Sequence, residues 1–277
     1  MGLKDLMNTY KDNKKNQISA AVDRYLQSFN QVEKDRRKYC YHPSSLGKCP
    51  RKVQFEFLDL PKDSFIKAQT WFIFQVGHSL QEVYVQFMIA AGICKREDIE
   101  RPMSSHEFNV HGHTDMYSPD FKYGCDIKTS KDPIIMYKDG KRVESAFKDL
   151  PEPHPEYVTQ CHAYMLCEPE ATHYQILYIN KNDQSTKEFH VARDEDKLDE
   201  LKAVIRGIDL ANKERRLVDR PEAYSPNKPP CSWCDYKATC YNDAAKINWQ
   251  VMDDIEAGKI DMATGKRLDA DEDAMDV

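Results

Sequence analysis

Apolar positions in the first part of the chain recur at helical spacing: Leu3, Leu6, Ile18, Val22, Leu26 and Phe29. One or two amphipathic helices account for that spacing over residues 1 to about 40. The turn His42-Pro43-Ser44-Ser45 follows, and either serine is placed to cap a helix running through Cys49 to Phe57. Pro61 punctuates the next connection. A denser apolar stretch from Trp71 to Ile93 is interrupted by Gln75, His78, Gln81, Glu82 and Gln86. It predicts a buried or half-buried helix from about Ala68 to Ala91, stopped by Gly92, and not a membrane span.

The period then changes. Glu107 to Met116 alternates roughly between apolar and polar, and Tyr123 to Thr129 does so after a Ser118-Pro119-Asp120 turn, so both read as strands. Residues 130–155 carry Pro133, Gly140, Pro151, Pro153 and Pro155 and read as a long loop. A helix over Glu156 to Leu166, a buried strand over His173 to Asn180, a partner strand over Lys187 to Ala192 and a charged helix from Asp194 to about Leu217 complete the pattern. Four prolines between Arg220 and Pro230 mark a further loop. Helices, strands, then helix, strand, strand and helix predict a mixed α/β fold with a small sheet.

Composition adds little except at the ends. Charged residues make 31% and hydrophobic ones 40%, a globular balance without a transmembrane stretch. No apolar signal-type core follows Met1, and Met7 stands where a myristoylation signal prefers Ser or Thr, so the expected location is the cytosol. The net charge of −6 is matched by residues 251–277 alone, which read as an acidic mobile tail, while residues 1–60 carry twelve basic and seven acidic side chains. On charge alone a solvated helix is the favoured reading of that basic segment, ahead of a nucleic-acid groove.

The nine cysteines are an odd number with no export signal, which argues against a disulfide framework. Cys161 and Cys167 fall in a helical stretch and read as core residues. Cys231, Cys234 and Cys240 cluster beside Pro229-Pro230, and a C-x-x-C pair delivers two sulfurs from a single turn. The fourth ligand expected for such a site is Cys49, at the start of a helix whose amides favour thiolate character. Four thiolates suit zinc and iron–sulfur equally by spacing.

A second constellation lies on the strands. Gly112-His113-Thr114-Asp115 ends one, and Asp126-Ile127-Lys128 sits on the next. Residues i and i+2 share a strand face, so Asp126 and Lys128 point together, and strand pairing would bring Asp115 to them. Two carboxylates on one sheet face are costly without a cation, and a hard ion such as Mg²⁺ or Mn²⁺ offsets the repulsion. An exposed ion pair is the bland reading of Asp-x-Lys. His78 is either a satisfied core histidine or a nitrogen ligand to that ion, and Gln160 with Tyr164 at i and i+4 is either a polar helix edge or a pair reaching a phosphate. His111 and His113 share the face of Asp115, but the carboxylate–lysine set suits a hard cation better than zinc.

In order, Gly77-His78, Gly112-x-x-Asp115, Asp126-x-Lys128 and Gln160-x-x-x-Tyr164 resemble the motifs of RecB-like nucleases in the PD-(D/E)XK superfamily. With Cys49 upstream and Cys231, Cys234 and Cys240 downstream, the chain is similar to the iron–sulfur subgroup, which includes CRISPR-associated exonucleases and the nuclease domains of AddB-type helicase–nucleases. The likeness spans about Ser44 to Tyr241. It implies a restriction-endonuclease-like core, a small mixed sheet flanked by helices, over 68–218. An N-terminal helical region over 1–67 would precede it, and a cysteine segment over 219–250 and the tail over 251–277 would follow. It implies His78, Asp115, Asp126 and the Ile127 carbonyl as ligands to Mg²⁺ or Mn²⁺, Lys128 as the catalytic lysine, and Gln160 and Tyr164 as orienting residues. The four cysteines would hold a structural [4Fe–4S] cluster, with Zn²⁺ as the alternative.

The implied activity is a deoxyribonuclease, an exonuclease on single-stranded DNA or DNA ends, serving recombination, repair, CRISPR or phage DNA metabolism, with protein partners from those systems. The rival reading is an inactive nuclease relative acting as a DNA-binding or adaptor protein. Thr114 stands where the superfamily name has Pro, Asp126 replaces the more frequent Glu, and no G-x-x-x-x-G-K-[ST] motif is present. Tyr137, Lys138, Lys141, Arg142 and Lys148 make the 130–155 loop either a DNA contact or a plain insertion.

Overall fold

The computed structural model describes residues 17–31, 37–138, 141–242 and 247–268. Leu3 and Leu6 of the expected first helix lie outside them. Helix α1 (Gln17–Ser28) buries Leu26 against Phe29, Ala68 and Trp71. The helix expected through Cys49 is two pieces, α2 (Pro43–Leu46) and α3 (Pro50–Phe57). Proline opens each at a position where its missing N–H costs nothing. Cys49 is the residue that caps α3.

Helix α4 (Ala68–Ala90) is followed by Gly92 in the left-handed conformation, φ 73°, as a stop requires. It is less buried than its composition suggests. Trp71, Val85 and Met88 face inward, while Phe72 and Phe87 stay 56% and 64% exposed. No helix among the described residues is long and apolar enough to cross a membrane.

The centre is a five-stranded mixed sheet in the order β1-β2-β3-β6-β7. Its strands are β1 (Ile99–Ser105), β2 (Val110–Ser118), β3 (Tyr123–Ser130), β6 (His173–Asn180) and β7 (Thr186–Ala192). Strand β1 was not expected from the sequence. It is an edge strand, where Pro102 is tolerated because one row of amides has no partner to serve. The 130–155 loop likewise contains an unexpected hairpin, β4 (Ile134–Lys138) with β5 (Lys141–Ser145). Only β3 and β6 run parallel, joined by helix α5 (Pro155–Cys167). Helix α6 (Glu195–Lys213) starts at Asp194, whose side chain accepts from the amides of Asp196 and Lys197.

Helices cover both faces. Val85 and Met88 of α4 pack on Met116, Cys125, Ile127, Leu177 and Ile179. Cys161, Tyr164 and Met165 of α5 pack on Tyr117, Tyr174, Ile176 and Tyr178 on the opposite face. Strand residues therefore alternate between two apolar layers, as a sheet buried on both sides requires.

The segment read as a mobile acidic tail folds as far as residue 268. Helix α7 (Lys237–Tyr241) is followed by α8 (Gln250–Glu256) and a small hairpin, β8 (Ile260–Asp261) with β9 (Lys266–Arg267). Met252 enters the core beside Leu201 and Ile205, and Arg215 pairs with Asp253 at 2.7 Å and Glu256 at 2.8 Å. A few apolar anchors and matched basic partners outweigh the acidic composition. Residues 269–277 lie outside the described residues.

Candidate functional site

Strands β2 and β3 pair only at Met116–Cys125, Tyr117–Gly124 and Ser118–Tyr123, and beyond these they diverge. On the diverging side the backbone of Tyr41 bridges to β2 instead, accepting from the His111 amide at 2.8 Å. Close approach there depends on Gly112, where a Cβ would sit 2.8 Å from the Pro43 ring. The splay leaves the Ile127 amide without a β2 carbonyl, and it donates to Asp115 Oδ2 at 2.5 Å. A carboxylate thus takes the place of a ladder acceptor at the point where the sheet opens.

Asp126 lies close to Asp115, only 1% exposed, and Lys128 is 19% exposed beside it. Lys128 Nζ donates to Asp126 Oδ1 at 3.0 Å and to Gln160 Oε1 at 3.1 Å. The Gln160 amide donates to Asp126 Oδ1 and to the Tyr164 hydroxyl, both at 3.0 Å, and Tyr164 donates to the His113 carbonyl at 2.9 Å. The structure therefore gathers Asp126, Lys128, Gln160 and Tyr164 into one hydrogen-bonded chain running from β3 through α5 to β2, with Asp115 beside it. Tyr157, one turn before Gln160, lies with its ring centroid 4.6 Å from the Lys128 ammonium. Its place at i−3 to Gln160 was visible in the sequence, but its aim at the lysine was not.

Burial, and then the neighbouring Asp126, push the Asp115 carboxyl up to about 7. Asp126 is also raised by burial, although Lys128 opposes the shift. Burial works against the Lys128 charge, but the two aspartates outweigh it and hold the ammonium charged. Asp126 Oδ2, 2.8 Å from Lys128 Nζ, receives no hydrogen bond of good geometry. Two crowded carboxylates with spare oxygen capacity are the donor set a hard divalent ion takes. Among the described residues, no three His, Cys, Asp or Glu side chains form a ready-made cage for a single ion.

His78 is exposed in a cleft shared with Gln81, Glu82 and Glu100, and no hydrogen bond joins it to either aspartate. Gln81 reaches Asp115 instead: its amide donates to Asp115 Oδ1 at 3.0 Å and to Glu100 Oε1 at 3.3 Å. Helix α4 comes this close because Gly77 faces the end of β3, where a Cβ would meet Thr129 Oγ1 at 2.9 Å. His111 Nδ1 accepts from the Arg37 guanidinium at 2.9 Å, and burial with that guanidinium lowers the imidazole to about 4. His113 is exposed.

Elsewhere, Cys49, Cys231, Cys234 and Cys240 line one cavity of about 200 Å³ with Lys48, Lys52, Arg220 and Tyr241. The other five cysteines do not line it. Amides of Lys52 and Arg51 reach Cys49, as a helix start implies, but burial outweighs them and raises its thiol. The segment is also held without its sulfurs: the Ala238 amide donates to Asp63 Oδ2 at 2.5 Å, Thr239 Oγ1 donates to Asp63 Oδ1 at 2.6 Å, and Asp235 pairs with Lys62 at 3.2 Å.

No protein-family model and no curated protein matches the chain. Among solved structures, the crystal structure of SSO0001 is similar at 15% identity, covering 83% of this chain and 98% of that one, with a TM-score of 0.48. The alkaline exonuclease LHK-Exo from Laribacter hongkongensis is similar at 12% identity over 69% of this chain and 93% of that one, TM-score 0.42. Its complex with dAMP gives 13% identity over 64% and 89%, TM-score 0.42.

Proposed function

We propose that the chain is a Mg²⁺- or Mn²⁺-dependent deoxyribonuclease of the PD-(D/E)XK type that hydrolyses phosphodiester bonds in single-stranded DNA or at DNA ends. The observation that carries the reading is the buried chain Asp126–Lys128–Gln160–Tyr164 beside Asp115, assembled where two strands part. A purely structural ion pair needs no second carboxylate crowded against it, because breaking even with desolvation is already hard for one pair. Asp115, Asp126 and the Ile127 carbonyl would hold the ion, and His78 would complete the set from α4. The ion, when bound, polarises the phosphate and lowers the pKa of water.

The protein's own groups do the rest. Lys128 keeps its charge and places an ammonium where negative charge grows on the phosphate. Gln160 occupies one Lys128 proton and both restrains and orients the Asp126 carboxylate. Tyr164 fixes the Gln160 amide in the orientation that donates to Asp126. The four cysteines would hold a structural [4Fe–4S] cluster. A cubane spreads its thiolates over four irons, whereas zinc draws all four to about 2.3 Å from one centre. The four cysteines share one cavity with Lys48, Lys52 and Arg220, whose positive charge would offset the negative charge of such a group, with Zn²⁺ as the alternative.

The test is cleavage of 5′- and 3′-labelled single-stranded and duplex DNA with Mg²⁺, Mn²⁺ or EDTA. Metal-dependent release of nucleotides is the expected result. DNA binding without cleavage in either metal would return the chain to an adaptor role.

A further inference from the structure

Asp115 sits where the β2–β3 ladder has ended, so strand pairing does not orient its carboxylate. Two donors do so instead, one on each oxygen: the Ile127 amide on Oδ2 and the Gln81 amide on Oδ1. The first is backbone and cannot turn away. The second is a primary amide, whose oxygen and nitrogen ends occupy nearly the same space. Turned over, Gln81 would present a carbonyl oxygen to Asp115 Oδ1 and repel it. A second acceptor, Glu100 Oε1, 3.3 Å from the same Nε2, reinforces the donating orientation. One NH₂ group between two carboxylates has a single favourable orientation, because a carboxylate only accepts.

The backbone is arranged for this contact. Glu100 adopts φ 49°, a left-handed conformation that is uncommon for a residue with a side chain, within a strand. The residues on either side of it keep normal register, Ile99 with Met116 and Arg101 with Thr114, so the distortion is local to Glu100. Its side chain lines the cleft shared with Gln81 and His78.

We infer that Gln81 and Glu100 are positioning residues that act in series on Asp115: Glu100 fixes the Gln81 amide, and Gln81 fixes the carboxylate plane that receives the divalent ion. This rests on the reading of Asp115 as a metal ligand. Outer partners that orient a ligand set metal affinity, and their loss typically costs about 10- to 100-fold.

The test measures Mn²⁺ affinity directly, by calorimetry and by the electron paramagnetic resonance signal of bound Mn²⁺, on the full chain without DNA. Gln81→Met keeps length and bulk but has no donor. It is expected to weaken Mn²⁺ binding by about 10- to 100-fold, with the melting temperature of the metal-free protein unchanged. Glu100→Gln, on an exposed side chain, is expected to weaken binding in the same direction. The double variant Gln81→Met with Glu100→Gln is expected to bind no more weakly than Gln81→Met alone, since Glu100 has nothing to orient once the amide is gone. Additive losses would overturn the series arrangement and make Glu100 an independent contributor. Unaltered Mn²⁺ affinity in Gln81→Met would overturn the inference outright. Asp115→Ala separates the levels: if it also binds Mn²⁺ normally, the ligand reading itself fails, whereas lost binding there beside normal binding in Gln81→Met removes this inference alone.

Discussion

The carboxylate–lysine site and the cysteine cavity solve opposite problems. At the first, every charged group already has protein partners: Asp126 has Lys128 and Gln160, and Asp115 has Gln81 and the Ile127 amide. At the second, four cysteines line one cavity, and the sulfurs have a Tyr241 hydroxyl contact at 3.4 Å to Cys231 and backbone amides at Cys49 and Cys234. A preformed polar network keeps its geometry whether or not an ion is bound. Cysteines lining a cavity would gain cohesion from a group that filled it. If a group fills the cavity, removing it should destabilise that region, whereas removing an ion from the first site should leave the fold intact.

The largest expected effect is at the cysteines. A cluster joining Cys49 to Cys231 would close most of the core into one ring, worth on the order of 4–5 kcal/mol by the loop-closure estimate used for cross-links. Cys49→Ala, and each change at Cys231, Cys234 or Cys240, should lose brown colour near roughly 400 nm, soluble yield and thermal stability together. Cys94→Ala and Cys125→Ala, in the core away from the cavity, should keep the colour. Absorbance and iron analysis of anaerobically purified protein read this out. A colourless protein with one zinc per chain would leave the clamp and remove the iron.

At the other site, Lys128→Ala or Asp126→Ala should lower the cleavage rate by about 10²- to 10³-fold while circular dichroism stays native, because neighbouring groups still satisfy one another. Full activity in a folded Lys128→Ala variant would end the catalytic assignment.

The contrast sharpens further with pH. The folded protein keeps a proton on Asp115 up to about 7, whereas the unfolded chain releases it near the usual carboxylate value. The native state therefore binds the extra proton, and metal-free stability falls as pH rises through that window. Asp115→Asn should flatten that slope. By the same linkage, divalent-ion affinity should drop by up to about tenfold for each pH unit below 7. Calorimetry in two buffers of different ionisation enthalpy measures the released proton. A flat affinity from pH 5 to 8 would contradict the shift. The smallest effect is Tyr164→Phe. It removes two hydrogen bonds, to Gln160 and to the His113 carbonyl, each about 0.5–1.5 kcal/mol, and should slow cleavage a few-fold without unfolding the protein.

Much of this was legible in the chain because its signals are local. His173–Asn180 is a strand with the bounds its apolar run implies, and Gly92 stops α4 as expected. The i, i+2 relation of Asp126 and Lys128 and the i, i+4 relation of Gln160 and Tyr164 carried over directly into contacts. What escaped was long-range or masked by neighbours. Strand β1 was hidden by Arg101 and Pro102, which an edge position tolerates. The hairpin within 130–155 carried its own signal, Asp139-Gly140, submerged among prolines. On α4, apolar on nearly every side, periodicity does not say whether His78 or Gln81 meets the sheet. The splay of β2 from β3 decides that, and no local pattern encodes it.

The Asp63 contacts have a consequence for the order in which the molecule is made. Cys49 and Asp63 leave the ribosome early, and the amides of Ala238 and Thr239 that Asp63 receives are translated with the last three thiols of the cavity. The early half thus contributes one thiol and one carboxylate to a junction that only the late segment completes. The late segment is held there by the Ala238 and Thr239 amides and the Thr239 hydroxyl on Asp63, contacts that need no sulfur. Closure of the cavity then records that everything between the two halves has already been synthesised.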